Sequence, residues 1–565
     1  MKKRNIALLI VLLAVAVMVL TGCNRGGTAQ GGDGTAAREL ADSLGLPHSG
    51  MEDMPFVEFT VFIRDPDTPP AADNPIIQKV EQITNVRLNF DYLVGDLDTR
   101  LGIMIASGDY PDALFVGGQE ATRLLDEGAY IPLQDLIPTY APNLRRHYDQ
   151  WWNRMFHGRD NIYVMDIFGT HFGEHVPLEN WDSGFWLQMS VLDHFGRPPA
   201  DIFEYFDFIR EYMELFPTRD GVPTIGFEVL TEGWRRFCID NPPMFMQGYG
   251  NWGPALPGPN QTARDRWNHP WARDYYYILN QEFHRGTILL ETLTRTHDQY
   301  IATIASGAVL GLFDQKWNFN AAQNALIAEG MYDRRYLPLA LTWPGVTPNY
   351  MGVPTWTGMN GLGITVSNHD PARFLQYLDW IVHEDVQRFL AWGIEGEHWH
   401  FNNEGRMERF PETRVNMQDD RWSVDNLGTR LRNHLPKIQG TLSDGNATSP
   451  GDQPEEYFAS LRDYDRALFE RLGILTHAGF MGTPQSRPVY YPFWSMNFDD
   501  GTPAQRAQDR IEDINSRFLA RMVIAPSGEF DALWAEYQAE MADSGYRDLL
   551  DEIERQIQVR IAAAN

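Results

Sequence analysis

Cysteine is almost missing from this chain: Cys23 and Cys238 are the two in 565 residues. Two thiols cannot build a disulfide framework or a cysteine-rich metal site. Positive charge is also short. There are 47 Lys and Arg against 76 Asp and Glu, a net charge of −29 with pI near 4.8. A chain without a basic surplus does not fit nucleic-acid phosphates. After the N-terminal segment no apolar run is long enough to span a membrane. P-loop, dinucleotide-binding and G-x-S-x-G signatures do not occur, nor does an internal repeat.

What is present begins at the N-terminus. Lys2, Lys3 and Arg4 precede an apolar run from Ile6 to Leu20, the length of a signal-peptide core. The run ends in "LTGC", Leu20 to Cys23, which resembles the lipobox of bacterial lipoproteins. The resemblance implies a signal peptide over 1–22 and acylation of Cys23. The chain would then be lipid-anchored at the cell membrane, facing the extracellular side or a periplasm; stable anchoring takes more than one acyl chain. Residues 23–50, rich in Gly, Thr, Ala and Gln, read as a flexible tether. With Cys23 acylated no intrachain disulfide is possible, and the mature chain must stand on its core alone.

The pattern downstream is α/β. "FVEFTVFI" (56–63) is an apolar strand, and Asn74 with Pro75 starts a helix whose Ile76, Ile77, Val80 and Ile83 share one face. Val86, Leu88 and Phe90 alternate with Arg87, Asn89 and Asp91. A helix follows over about 97–106. "DALFV" is a continuous apolar run, as in a strand buried on both faces, and a helix ending at Gly128 follows it. A similar, longer pattern runs over about 185–340. Residues 360–393 give a strand and two helices, and the chain is helical from about 505. Residues 401–455 read as a polar surface excursion. Length alone supports two or more lobes.

Several stretches hold residue types that could carry chemistry. "HFGEH" (171–175) has the spacing of inverted zinc proteases, but Gly169, Gly173 and Pro177 oppose the helix that such a site needs. His398 and His400 would share a strand face, without a third ligand of firm spacing; a hairpin is the simpler reading. "DPDTPPAADN" (65–74) lacks EF-hand spacing. Nothing nominates a carboxylate pair for glycoside hydrolysis. Asp109 and Asp112 in "IASGDYPDALF" fit turn and capping roles. No metal, cofactor or catalytic residue is expected.

The same stretch, with the following helix and "EGAYIPLQDLI", resembles the first lobe of extracellular solute-binding proteins of ABC importers. "LQMSVLDHFGRPPADIFEYFDFIREY", "IASGAVLGLFDQKW" and "DPARFLQYLDWIVHEDVQRFLAWGIEGEHW" are similar to later segments of the large oligosaccharide-type lipoprotein subgroup. The resemblance implies a two-lobed periplasmic-binding-protein-like fold with mostly parallel sheets and a hinge. Lobe I would hold 51–165 plus 345–400, and lobe II 166–344 plus 401–565. It implies a monomer, not an enzyme, that holds an oligosaccharide between the lobes and partners an ABC permease. A peptide or other polar solute, or a lipoprotein glycoside hydrolase or zinc protease, are the alternatives. Ligand contacts are expected from Arg64, Asp65, Gln119, Glu120, Trp181, Trp186, Asp314, Trp317, Trp356, Tyr491 and Trp494. Aromatic rings stack on sugar C–H faces while polar side chains take hydroxyls.

Overall fold

The computed structural model describes residues 34–173, 178–356, 358, 360–417 and 419–564. The N-terminal apolar run and Cys23 lie outside them. Among the described residues no helix is long and apolar enough to cross a membrane.

Two sheets organise the molecule. The lobe I sheet has the strand order Val86–Tyr92, Val57–Ile63, Ala113–Gly117, Asn360–Ile364, Val164–Asp166. The lobe II sheet has the order Tyr336–Leu339, Ser183–Gln188, Val309–Gln315, Ile225–Glu228. The first three strands of lobe I are parallel, as are Val309–Gln315 and Ile225–Glu228. The antiparallel members include the two strands by which the chain enters a lobe. Ser183–Gln188 enters lobe II and runs against Val309–Gln315. Asn360–Ile364 re-enters lobe I and runs against Ala113–Gly117. The reason is geometric. Parallel βα units place all strand carboxyl ends at one edge, so a strand that starts from that edge must run the other way.

Local rules set the elements. Asn74 Oδ1 accepts from the Ile76 and Ile77 amides at 3.0 Å, and Pro75 occupies the first helical position. The Asn74 amide also donates to the Val424 and Leu427 carbonyls. In Ala113–Gly117, Ala113 and Phe115 join one core of lobe I, and Leu114 and Val116 the other. Asp112 is structural: its carboxylate accepts from the Thr60 amide at 2.8 Å and lies 2.8 Å from His369 Nδ1. The lobe II core takes in the C-terminal helices Pro503–Ile524, Phe530–Ala542 and Tyr546–Ala564.

Several expected boundaries move. The tether reading of 23–50 fails over 34–50. Thr35–Ser43 is a helix, Ala41, Leu46 and Met51 are buried in the lobe I core, and the Trp380 indole donates to the Pro47 carbonyl. Apolar residues hidden among Gly and Ala are enough to dock it. Residues 166–172 stay with lobe I, where Ile167 is core and His171–Phe172 pairs with Gln439–Gly440. Tyr350 and Met351 belong to the lobe II core. Residues 401–449 are no surface excursion of lobe II: Leu431 and Leu435 are buried in lobe I, and Met407 and Leu442 pack with Trp392 and Trp399.

Leu46→Ala is expected to cost about 2 kcal/mol or more in urea unfolding, as for a buried leucine. An unchanged midpoint would restore the tether.

Candidate ligand-binding cleft

The carboxyl ends of the lobe I strands form one edge. Arg64 and Asp65 follow Val57–Ile63, with Arg64 Nε 3.7 Å from an Asp65 oxygen. Gly117 closes Ala113–Gly117, and a Cβ there would come within 2.5 Å of Asn360 Oδ1 and 2.9 Å of Arg64 Nη1. Glycine therefore lets these two polar groups converge over the backbone. Gly118, at φ +66, turns the chain into Gly118–Asp126, which presents Gln119 and Glu120. Asp166, fully buried, fixes the opposite end of the edge. It accepts from the Asn360 amide at 3.0 Å and lies 3.1 Å from His157 Nε2.

This edge holds polar atoms without partners. Gln119 Nε2, Asn360 Oδ1, Tyr92 Oη and both nitrogens of His434 are buried and make no hydrogen bond among the described residues. Buried polar groups are ordinarily paired, and each unpaired one costs stability. His434 packs edge-on against Phe90, Tyr92 and Phe115. Burial, Arg430 and Lys437 push it down to about 3, so it is neutral. Burial raises Glu120 above the usual carboxylate range; Arg64 partly offsets this, while Asp98 and Glu512 add to it.

The facing edge of lobe II is aromatic. Among the described residues the exposed tryptophans are Trp181, Trp234, Trp317 and Trp494. Trp317 follows Val309–Gln315 and stacks on Trp234 at 5.8 Å and 15°. Its indole donates to Gln315 Oε1 at 2.6 Å, which fixes the ring. Arg235 covers the other ring, 4.5 Å from the Trp234 centroid. Trp181 precedes Ser183–Gln188, with Lys316 Nζ 4.4 Å from its ring centre and ion-paired to Glu179. Tyr491 lies beside Arg487, and its hydroxyl is pushed up by burial and by the Asp182 carboxylate. The lobes touch through Arg154 Nη2 and the Val489 carbonyl at 3.0 Å, and through Asn324 and Asp420 at 3.0 Å.

Arg64, Asp65, Gln119 and Glu120 thus share one edge, and Trp181, Trp317, Tyr491 and Trp494 the other. Two expected contacts, Trp186 and Asp314, are corrected. Trp186 is 2% exposed, packs on Phe319, and donates its indole N–H to the Asp314 carbonyl. Asp314 is fully buried, accepts from Tyr300 and Asn318, and is raised to about 6 by burial. Trp356 is held between His157, stacked at 5.6 Å, and Arg154 at 4.4 Å. Trp186 and Asp314 support the edge from behind, whereas the Trp356 indole nitrogen is buried with no partner among the described residues. Sequence reasoning missed Tyr92, Trp234, Asn360 and His434. Trp234 could have been found, because "TEGWRR" begins three residues after the end of the strand Ile225–Glu228.

The metal readings find no support in the geometry described. His171–Phe172 is a strand, while Glu174 and His175 lie outside the described residues. His398 Nδ1 accepts from the Ile394 amide, and Trp399–Phe401 pairs with Met407–Arg409 as a hairpin. No group of three or more His, Cys, Asp or Glu converges among the described residues.

No family model matches the chain. A fructooligosaccharide ABC transporter substrate-binding protein, FusA of Streptococcus pneumoniae serotype 4, is 26% identical over 155 residues. That match spans 26% of this chain and 27% of the relative. Solved structures align over far more. An EF-hand mutant of S. pneumoniae FusA in complex with fructo-nystose superposes with TM-score 0.64 at 16% identity, over 90% of this chain and 100% of that one. A solute-binding protein of Bifidobacterium longum infantis, described as binding HMO, gives 0.61 at 13%, over 89% and 99%. The alginate-binding protein AlgQ2 gives 0.60 at 16%, over 89% and 98%. The chain has the two-lobed α/β fold of these solute-binding proteins.

Proposed function

We propose that the chain is the lipid-anchored substrate-binding component of an ABC importer and captures an oligosaccharide between its lobes. One observation carries the reading: lobe I holds unpaired polar atoms at its strand ends, and lobe II carries the exposed tryptophans. A saccharide matches both, since its hydroxyls supply partners for the amide, phenol and imidazole groups and its C–H faces stack on indole. Closure of two rigid lobes on such a ligand turns binding into a shape that a permease can read. No bond need be broken. The relatives reported above bind fructooligosaccharide, HMO or alginate, which supports the same class here. The anchor would be Cys23, and the site of action the outer face of the cell membrane.

A thermal-shift screen separates the readings, because a ligand that binds only the native state raises the melting temperature. Oligosaccharides are expected to raise it and peptides not to; a peptide-only response, or turnover of any glycoside or peptide, overturns the proposal. Trp234→Ala and Trp317→Ala should each weaken oligosaccharide binding about tenfold, roughly 1.4 kcal/mol. Their melting temperatures should stay within about 2 °C of the parent, as for exposed positions. Equal binding by both variants would remove the aromatic platform.

Glu120 supplies a pH test. Its raised folded pKa means that the unfolded chain, titrating near 4.5, releases this proton first. Stability from this group is present at low pH and lost as pH rises through the folded value. Glu120→Gln should therefore raise the melting temperature at pH 8 and leave it unchanged at pH 4. A pH-independent difference would contradict the burial of this carboxyl.

A further inference from the structure

Buried cations in this protein are otherwise spent on partners: Arg266 and Arg373 donate to backbone carbonyls, and others meet carboxylates. Arg335 meets Asp465, Arg236 meets Asp240, and Arg409 and Arg414 share Glu456. Lys437 departs from that pattern. It is 8% exposed, and no ion pair or side-chain hydrogen bond is formed by its ammonium among the described residues. Its nearest charged influence is Arg432, a cation, and burial with that repulsion brings it down to about 7. Arg432 donates to the Ile438 carbonyl and forms no ion pair among the described residues, with the Asp452 carboxylate partly offsetting its burial. Arg430, the other cation of the segment, is taken up by Asp67 at 2.5 Å. An ammonium held largely, though not wholly, out of water without a counter-charge is costly.

The position of Lys437 links this cost to the cleft. Its Nζ lies 5.1 Å from the Phe168 ring centre. Phe168 follows Val164–Asp166, which runs parallel to Ala113–Gly117 through the shared antiparallel neighbour and ends at the same edge. Thr170 Oγ1 donates to the Lys437 carbonyl at 2.8 Å and holds the backbone there. Phe168 and His434 both pack on Phe115, so Lys437 adjoins the unpaired Tyr92 and His434 groups. Lysine is also rare here: Lys2, Lys3, Lys79, Lys316 and Lys437 are all the chain contains. Arginine is the usual cation of this protein, and a compact ammonium suits a single oxyanion where a guanidinium fork would not fit. Because the whole protein is strongly acidic, attraction for an anion must be local.

Resting on the saccharide reading above, we propose that the cleft takes an acidic saccharide, one oxyanion of which seats against the Lys437 ammonium on the lobe I edge. The neighbouring hydroxyls then meet Tyr92, Gln119 and Asn360, and the sugar rings lie on the lobe II tryptophans.

Calorimetric titration of the full chain tests this with three oligosaccharides of equal length: an oligogalacturonide, its neutral methyl ester, and a sulfated analogue. Tighter binding of an acidic member by tenfold or more is expected, and the two acidic arms show whether carboxylate or sulfate is the oxyanion. Lys437→Met should weaken binding of the acidic member by tenfold or more and weaken the neutral ester by far less, so that the preference is lost. Its melting temperature should match or exceed the parent's, since an unpaired buried charge is removed; Lys437→Gln serves if the methionine variant does not fold. Neutral saccharides bound as tightly as acidic ones, or an equal loss for both on substitution, overturns the acid assignment and leaves the saccharide reading standing. Refusal of all saccharides overturns both.

Discussion

The structure depends on a constraint of α/β architecture: the carboxyl ends of parallel strands gather at one edge and leave polar groups there unspent. Each lobe has such an edge, and the fold turns the two toward each other. On lobe I the edge stays polar and unpaired, at Tyr92, Gln119, Asn360 and His434. On lobe II it is covered by indole rings. Neither arrangement favours the fold by itself, because unpaired buried dipoles and exposed rings both cost free energy. They persist because the two extensive cores behind them hold the edges open.

The supporting residues show how that is done. Asp166 orients Asn360 through its backbone amide and holds His157, on which Trp356 stacks. Asp314, three residues before Trp317, is locked by Tyr300 and Asn318 beneath the platform. Glycines at 117 and 118 bring Arg64 and Asn360 close and turn the chain toward Gln119. The site is therefore positioned by buried polar groups that never reach the cleft. Replacing them should act on binding through geometry.

Much of this was legible in the sequence. The Asn74–Pro75 start, the two-faced strand before Gly117 and the strand-end residues Arg64, Asp65, Gln119 and Glu120 follow local rules. Tryptophans were harder. Trp186 and Trp317 both sit beside apolar strands, and only the pairing of Ser183–Gln188 with Val309–Gln315 shows that the first faces the core. Lys437 and His434 were invisible for another reason: they come from a segment far along the chain that returns to lobe I, and polar composition made it read as surface. The 34–50 segment misled in the same way, since few apolar residues were enough to dock it.

A saccharide held between the two unlike edges would satisfy both at once. The structure of the complex with whichever saccharide raises the melting temperature most tests it directly. Sugar rings are expected to stack on Trp317 and Trp234, with hydroxyls hydrogen-bonded to Gln119, Asn360 and Tyr92. A saccharide seated elsewhere on the chain, or one in the cleft that leaves those polar atoms unpaired, would contradict it.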